Sequence, residues 1–288
     1  MTPSCTAALE MAVRLSIEPG DEVILPSFGF ASCANAVILA GGVPVFHDID
    51  PMWLLLNYCD PSGATACVLP IHYAGVTQNA RGLGAARVIE DAAHCIGDFR
   101  ITGDFACLSF HETKNISCGQ GGALIVRDEE MVERVQIMRH CGTTKAIVKH
   151  AWDWVDVGTQ QLMNEVTAEL LWRELGNVDA VTAARRNIWK IYRDEIRAEE
   201  KASHAGNGHI FWFLHPARGR VQDALMGRGI RLASHYTPLH SRSPGILYGR
   251  SVGECPVSTR VADQILRPPM NVSPDEARRI AQEINKEL

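Results

Sequence analysis

The sequence predicts an α/β fold: a mostly parallel sheet in a large domain, followed by a smaller α+β C-terminal domain. Three observations predict it. Short apolar runs in the first half are rich in Val, Ile, Leu and Phe without clean alternation, as in strands covered on both faces. Helical stretches lie between or after them, which is the pattern of a parallel sheet. Beyond Glu165 the chain turns mainly helical, with a single strand-like run at Ile210 to Leu214.

In chain order, Ala7 to Leu15 carries good helix formers, and Ser4 or Thr6 can cap that helix. Strands are expected at Glu22 to Leu25, Pro44 to Phe46, Ala66 to Pro70, Arg87 to Ile89, Ala106 to Phe110 and Ala123 to Val126. Ala31 to Leu39 and Glu129 to His140 read as helices. Leu170, Leu171, Leu175, Val178 and Val181 fall at helical spacing, and the helix breaks near Gly176-Asn177. The domain boundary belongs there, giving 1–177 and 178–288. Helices at Arg220 to Met226, Thr259 to Leu266 and Pro274 to Lys286 complete the second lobe.

Composition narrows the function classes. A chain of 288 residues has room for two lobes. Its net charge of −5, without a lysine- or arginine-rich run, argues against a nucleic-acid partner. Apolar stretches such as Ala31 to Leu39 are too short to span a bilayer, so no membrane partner is expected. The nine cysteines form no C-x-x-C pair and are scattered as buried free thiols would be, which fits a reducing cytoplasm.

Three segments carry chemistry. Ser109-Phe110-His111-Glu112-Thr113-Lys114-Asn115 follows an apolar strand and precedes Gly119-Gln120-Gly121-Gly122. A lysine at a strand end beside flexible backbone can meet a flat cofactor, and desolvation there lowers an amine's pKa. Arg87 to Asp91 reads as a strand ending in an aspartate, aimed at the crevice where open α/β sheets bind ligands. The alternative for Asp91 is a helix cap. Pro3-Ser4-Cys5-Thr6-Ala7-Ala8 opens a helix whose free N–H groups suit a phosphate. No metal is expected. His235 and His240 are separated by a proline and lack a third ligand, and His111 to Lys114 lacks the second histidine of a zinc-protease helix.

Together these segments resemble the DegT/DnrJ/EryC1/StrS sugar aminotransferases, within the aspartate aminotransferase-like fold type I of pyridoxal 5'-phosphate (PLP) enzymes. Further markers are Pro19-Gly20-Asp21-Glu22-Val23, Pro26-Ser27-Phe28-Gly29-Phe30, Glu90-Asp91-Ala92-Ala93-His94 and His235-Tyr236-Thr237-Pro238-Leu239-His240. The His-Glu-Thr-Lys-Asn version looks most like the enzymes that aminate C4 of dTDP-4-keto-6-deoxyhexoses in polysaccharide biosynthesis. The resemblance implies PLP as cofactor, glutamate as donor, a sugar nucleotide as acceptor and a homodimer. It makes Lys114 the cofactor-linking, proton-shuttling lysine and Asp91 the partner of the pyridine nitrogen. Phe30 would stack on the ring, Thr6, Ala7 and Ser109 would bind the phosphate, and His94 would lie near the ring. His235, Tyr236, His240 and, more weakly, His72 would face the sugar nucleotide. Phe30, His72 and His94 also fit as ordinary core residues.

The chain departs from the family in places. Relatives carry a further stretch ahead of Pro3 that lines the pocket, so the resemblance leaves open a more open pocket, a different acceptor or no activity here. The interval from Ala74 to Arg87 is short for the expected helix, Gln120 stands where glutamate is common, and Gln160-Gln161-Leu162 replaces a polar pattern that reaches a neighbouring subunit's cofactor. Two rivals follow: a PLP-dependent sugar dehydratase, against which Lys114 argues because such enzymes carry histidine there, and a non-catalytic binding homologue.

Overall fold

All six apolar runs of the first half form strands, five of them with Val, Ile, Leu or Phe on both sheet faces and β3 with Cys67 and Val68 on opposite faces. They are β1 (Glu22–Pro26), β2 (Val43–His47), β3 (Thr65–Val68), β4 (Arg87–Asp91), β5 (Phe105–Ser109) and β6 (Gly122–Val126). Three two-residue strands follow: β7 (Phe213–Leu214), β8 (Arg250–Ser251) and β9 (Ile265–Leu266). The computed structural model describes residues 1–57, 65–83, 87–97, 99–144 and 152–288.

Seven strands form one sheet in the order β6-β5-β4-β3-β1-β2-β8. Every pairing is parallel except β5 with β6. The carboxyl ends of the parallel strands therefore share one edge, and Asp91 and Ser109 are the last residues of β4 and β5 there. Helix α1 (Cys5–Arg14) packs across β4, β5 and β6, and α2 (Ser32–Leu39) packs on α1. Seven of the ten residues of α1 are buried, as expected for a helix covered on more than one side. It starts at Ser4, whose Oγ accepts the Ala7 N–H at 3.1 Å.

Helix α3 (Glu130–Arg139) follows β6. The long helical region divides into α4 (Glu165–Leu175) and α5 (Val178–Glu195), and Gly176 ends the first of them. Helices α6 (Arg218–Met226), α7 (Ser243–Tyr248), α8 (Pro256–Gln264) and α9 (Pro274–Asn285) complete the chain. A second core cluster joins α5, α9, β7 and β9 to Phe28 and Tyr73 from the sheet side.

The structure differs from expectation in several places, among them α7 and β8, which no sequence pattern announced. Of Ile210 to Leu214 only Phe213 and Leu214 are strand, although all five residues are buried. The run expected to stay helical to Leu266 ends at Gln264, and Ile265 and Leu266 pair with β7. Between Ala74 and Arg87 the described residues contain one 3-10 turn after the strand-end loop, Ala80–Leu83, and 84–86 lie outside the described residues. Among the described residues no helix is long and apolar enough to cross a membrane.

Candidate active site

The sheet edge that carries Asp91 and Ser109 opens into a cavity of about 570 Å³. Asp91 is 5% exposed. Its Oδ1 accepts the Ala93 N–H at 3.0 Å, and its Oδ2 accepts the Cys33 Sγ–H at 3.0 Å. The Cys5 thiol lies 4.0 Å from Oδ1. Burial, and then the charge of Asp91, push both thiols well above the usual cysteine range. The two sulfurs therefore stay protonated and act as donors toward the carboxylate.

Lys114 stands on the loop after β5. Its N–H donates to the His111 carbonyl at 2.9 Å, and Phe110 and Glu112 donate to Gly121 and Gly119 across the same loop. Gly122 lets β6 run against the start of α1: a Cβ there would fall 2.2 Å from the Ser4 carbonyl carbon. This close approach brings Ser4, Thr6, Gln120 and Gly121 to the wall shared with Lys114. Burial lowers the Lys114 pKa, and the nearby Asp91 carboxylate opposes that shift. A larger share of neutral amine follows, which a nucleophilic lysine needs.

Of the residues expected at the site, Lys114, Asp91, Thr6, Phe30, His94, Ser109, His235 and Tyr236 line this cavity. Phe30 is 56% exposed, an apolar ring left open at the cavity mouth, 5.9 Å from the Tyr236 ring. Ala7, His72 and His240 are not among the lining residues. Ala7 is buried in α1 and its N–H is taken by Ser4. His72 is buried with Nε2 3.5 Å from Glu90 Oε2 and Nδ1 accepting the Gln78 N–H. His240 Nδ1 lies 2.5 Å from Ser27 Oγ.

Sequence reasoning missed His209, Asn115 as a buried partner, Asn207 and Arg267. Asn115 Nδ2 donates to the Asn207 carbonyl at 3.1 Å, which turns its Oδ1 toward His209 Nδ1 at 2.8 Å. That network assigns the His209 proton to Nδ1. His94 Nδ1 accepts the Ala74 N–H at 3.3 Å, so its proton sits on Nε2, 3.5 Å from the Tyr236 hydroxyl. The two imidazoles lie 4.5 Å apart between centroids. Burial, and then the Lys114 charge, hold both well below the usual histidine range. The signal for His209 was a polar Asn-Gly-His ahead of an apolar run. Arg267 directly follows two buried residues, an odd place for a surface charge.

This donor set fits pyridoxal 5'-phosphate. A buried carboxylate faces the cavity, a desolvated lysine lines it, hydroxyls sit at a helix start, and an aromatic ring stands open at the mouth. Among the described residues no group of three or more His, Cys, Asp or Glu is placed to hold a metal. Fold and site together define a PLP-dependent enzyme of fold type I.

The comparisons sharpen that class. The sequence profile of the DegT/DnrJ/EryC1/StrS aminotransferase family matches residues 1–285, and the chain belongs to this family. A similar curated protein is the UDP-N-acetyl-3-dehydro-alpha-D-glucosamine 3-aminotransferase of Acidithiobacillus ferrooxidans. It is 29% identical over 311 residues, covering 99% of this chain and 83% of that protein. The crystal structure of the aminotransferase TlmJ from Streptoalloteichus hindustanus superposes with a TM-score of 0.86 at 26% identity, covering 99% of this chain and 84% of TlmJ. DesV from S. venezuelae gives a TM-score of 0.89 at 25% identity, covering 99% of this chain and 83% of DesV.

Proposed function

We propose that the chain transfers the amino group of glutamate to the C4 ketone of a dTDP-linked 4-keto-6-deoxyhexose. The observation that supports transamination is that Lys114 and Asp91 line the same cavity. The sugar and its position rest on the likeness of His111-Glu112-Thr113-Lys114-Asn115 to enzymes of that specificity.

In this reading Asp91 binds the ring nitrogen, steadied by Cys33 and the Ala93 N–H. Thr6 and Ser109 would hold the phosphate, Phe30 would stack on the ring, and His94 would lie near it. Bound PLP supplies the electron sink. Lys114 carries the proton away from the donor α-carbon and later delivers a proton to the sugar carbon. Burial lowers its pKa, which favours the neutral amine that takes up the first proton. His235 and Tyr236 line the side open to the sugar nucleotide.

We place the enzyme in the cytoplasm as a homodimer of two-lobed subunits, with lobes 1–177 and 178–288. Trp154, Trp172 and Val166 are 73–76% exposed on and ahead of α4, an apolar surface suited to a second subunit. A second reading is amination at C3 of a UDP-linked N-acetyl sugar, favoured by the name of the A. ferrooxidans relative. The test incubates the PLP-loaded enzyme and glutamate with either keto sugar and identifies the product by mass spectrometry and NMR. A 4-amino product from the dTDP sugar alone supports the first reading. A 3-amino product from the UDP sugar alone replaces it with the second.

A further inference from the structure

We propose that His209 is a positioning residue for Lys114: through its hydrogen bond to Asn115 it clamps the loop that carries the amine. The inference rests on the aminotransferase reading above and adds to it a residue from a distant part of the chain.

Lys114 sits between β5 and β6 on a loop closed by short-range bonds. Its own N–H reaches the His111 carbonyl, and the Glu112 N–H reaches the Gly119 carbonyl. These bonds shape the loop from within. The next residue, Asn115, ties it to a segment 92 residues away. Its side chain is buried and bonded at both ends: Nδ2 donates to the Asn207 carbonyl at 3.1 Å, and Oδ1 accepts the His209 Nδ1–H at 2.8 Å. A carbonyl can only accept, so the amide cannot flip, and His209 must keep its proton on Nδ1.

The segment that Asn115 grips is itself fixed. The His209 N–H donates to Asn207 Oδ1, and Asn207 Nδ2 holds the His94 and Ile96 carbonyls. Gly208 has a φ of +72°, and a Cβ there would fall 2.7 Å from the Arg185 carbonyl carbon, so α5 presses directly on this backbone. The His209 ring lies against His94, with centroids 4.5 Å apart. The Asn115–His209 bond therefore passes a rigid geometry to the residue beside Lys114.

Apolar side chains of similar size would fill this space with no polar group to satisfy. What the buried pair adds is a single arrangement, since a fully bonded polar network specifies one geometry. Burial, and then the Lys114 charge, keep His209 neutral, so its donor role holds while the amine gains and loses a proton. Lys114 needs such support: its stem is long and flexible, and a displacement of about 1 Å at a reacting group can slow a step about a hundredfold.

The experiment follows visible absorbance as PLP, and then L-glutamate without keto sugar, is added to the cofactor-free full chain. It compares wild type, His209→Phe, His209→Asn and His209→Ala, each checked for unchanged far-ultraviolet circular dichroism. His209→Phe keeps a ring against His94 and loses the donor. His209→Asn loses the ring and keeps an N–H where Nδ1 stood. His209→Ala loses both, and carries the comparison if the phenylalanine variant does not fold. In His209→Phe and His209→Ala the lysine-dependent yellow band should form about tenfold more slowly, and should bleach about tenfold more slowly at saturating glutamate, with the half-saturating concentration unchanged. His209→Asn should recover most of both rates. Wild-type rates in His209→Phe and His209→Ala overturn the proposal. An equal loss in all three variants also overturns it, because the ring and not the donor would then matter. A raised half-saturating concentration with unchanged rates overturns it too, and assigns His209 to donor binding. A wild type that forms the band but responds to no amino donor sinks the aminotransferase reading; slow band formation in His209→Phe would then still support the clamp. A wild type that forms no band sinks both.

Discussion

Replacing Asn207 by alanine should cost more stability than any surface substitution and should loosen the cofactor site as well. Asn207 is fully buried. Its Nδ2 donates to the His94 carbonyl at 2.7 Å and to the Ile96 carbonyl at 2.8 Å, and its Oδ1 accepts the His209 N–H at 3.1 Å. One side chain thus ties the loop after β4 to the segment before β7, and both histidines of the cavity hang on it. Truncation strands two carbonyls and one N–H. Each stranded buried group costs about 1–3 kcal/mol. Water entering the polar gap recovers part of this, leaving a net loss of about 3–5 kcal/mol. That is a large share of the ~5–15 kcal/mol that holds a folded domain together. Asn207→Asp should lose at least as much, because it turns a carboxylate oxygen toward two carbonyls. Urea unfolding followed by tryptophan fluorescence reads the change as a fall in midpoint at constant slope. PLP titration reads the second effect as weaker cofactor binding when the His94 loop is freed. A loss below about 1 kcal/mol in Asn207→Ala would refute the reasoning, since the three bonds would then count for less than one ordinary hydrogen bond.

Two other predictions concern charge. Asp91→Asn should keep part of the cofactor binding but cut turnover severely, because the ring nitrogen loses its anionic partner; a near-normal rate removes Asp91 from that role. His94 and His209 are held well below the histidine value, whereas in the unfolded chain they titrate near pH 6.5. Below that pH the unfolded state binds more protons, so their contribution is complete above pH ~6.5 and is lost as pH falls, at up to about 1.4 kcal/mol per pH unit for each. Urea midpoints at pH 7.5, 6.5 and 5.5 should fall in that order, and more gently in His209→Gln. A flat series contradicts the buried neutral pair.

Much of the sheet was legible because its strands are apolar on both faces, which no exposed loop of this length imitates. The strand ends were less so: the expected strands Arg87 to Ile89 and Ala106 to Phe110 end two residues before and one residue after the observed ends at Asp91 and Ser109. What escaped was set by tertiary partners. β8 consists of two exposed residues, Arg250 and Ser251, held by β2 and by the Arg250–Glu22 pair, and no hydropathy pattern marks it. Ile210 to Trp212 are as apolar as a strand yet lie outside β7. There the Trp212 carbonyl accepts the Ala202 N–H, so the pairing comes from an irregular segment and burial alone misleads. At the site, residues inside a recognisable segment were found, such as Thr6, Phe30, Asp91, Lys114 and Tyr236. Those brought to it by the C-terminal half without a marker of their own, His209 and Arg267, were not. His72 and His240 drew notice as histidines, but their hydrogen bonds to Gln78 and Ser27 are made away from the cavity.

The central claim is that Lys114 and the cavity around it perform PLP-dependent amino transfer. The most direct test records the visible absorbance of the purified protein with PLP before and after glutamate, alongside Lys114→Ala. The account predicts a lysine-dependent yellow band in the wild type that bleaches with glutamate. It predicts no such response in Lys114→Ala, whose far-ultraviolet circular dichroism stays unchanged. A band that bleaches equally in both proteins would contradict it, because the amine doing the chemistry would then lie elsewhere.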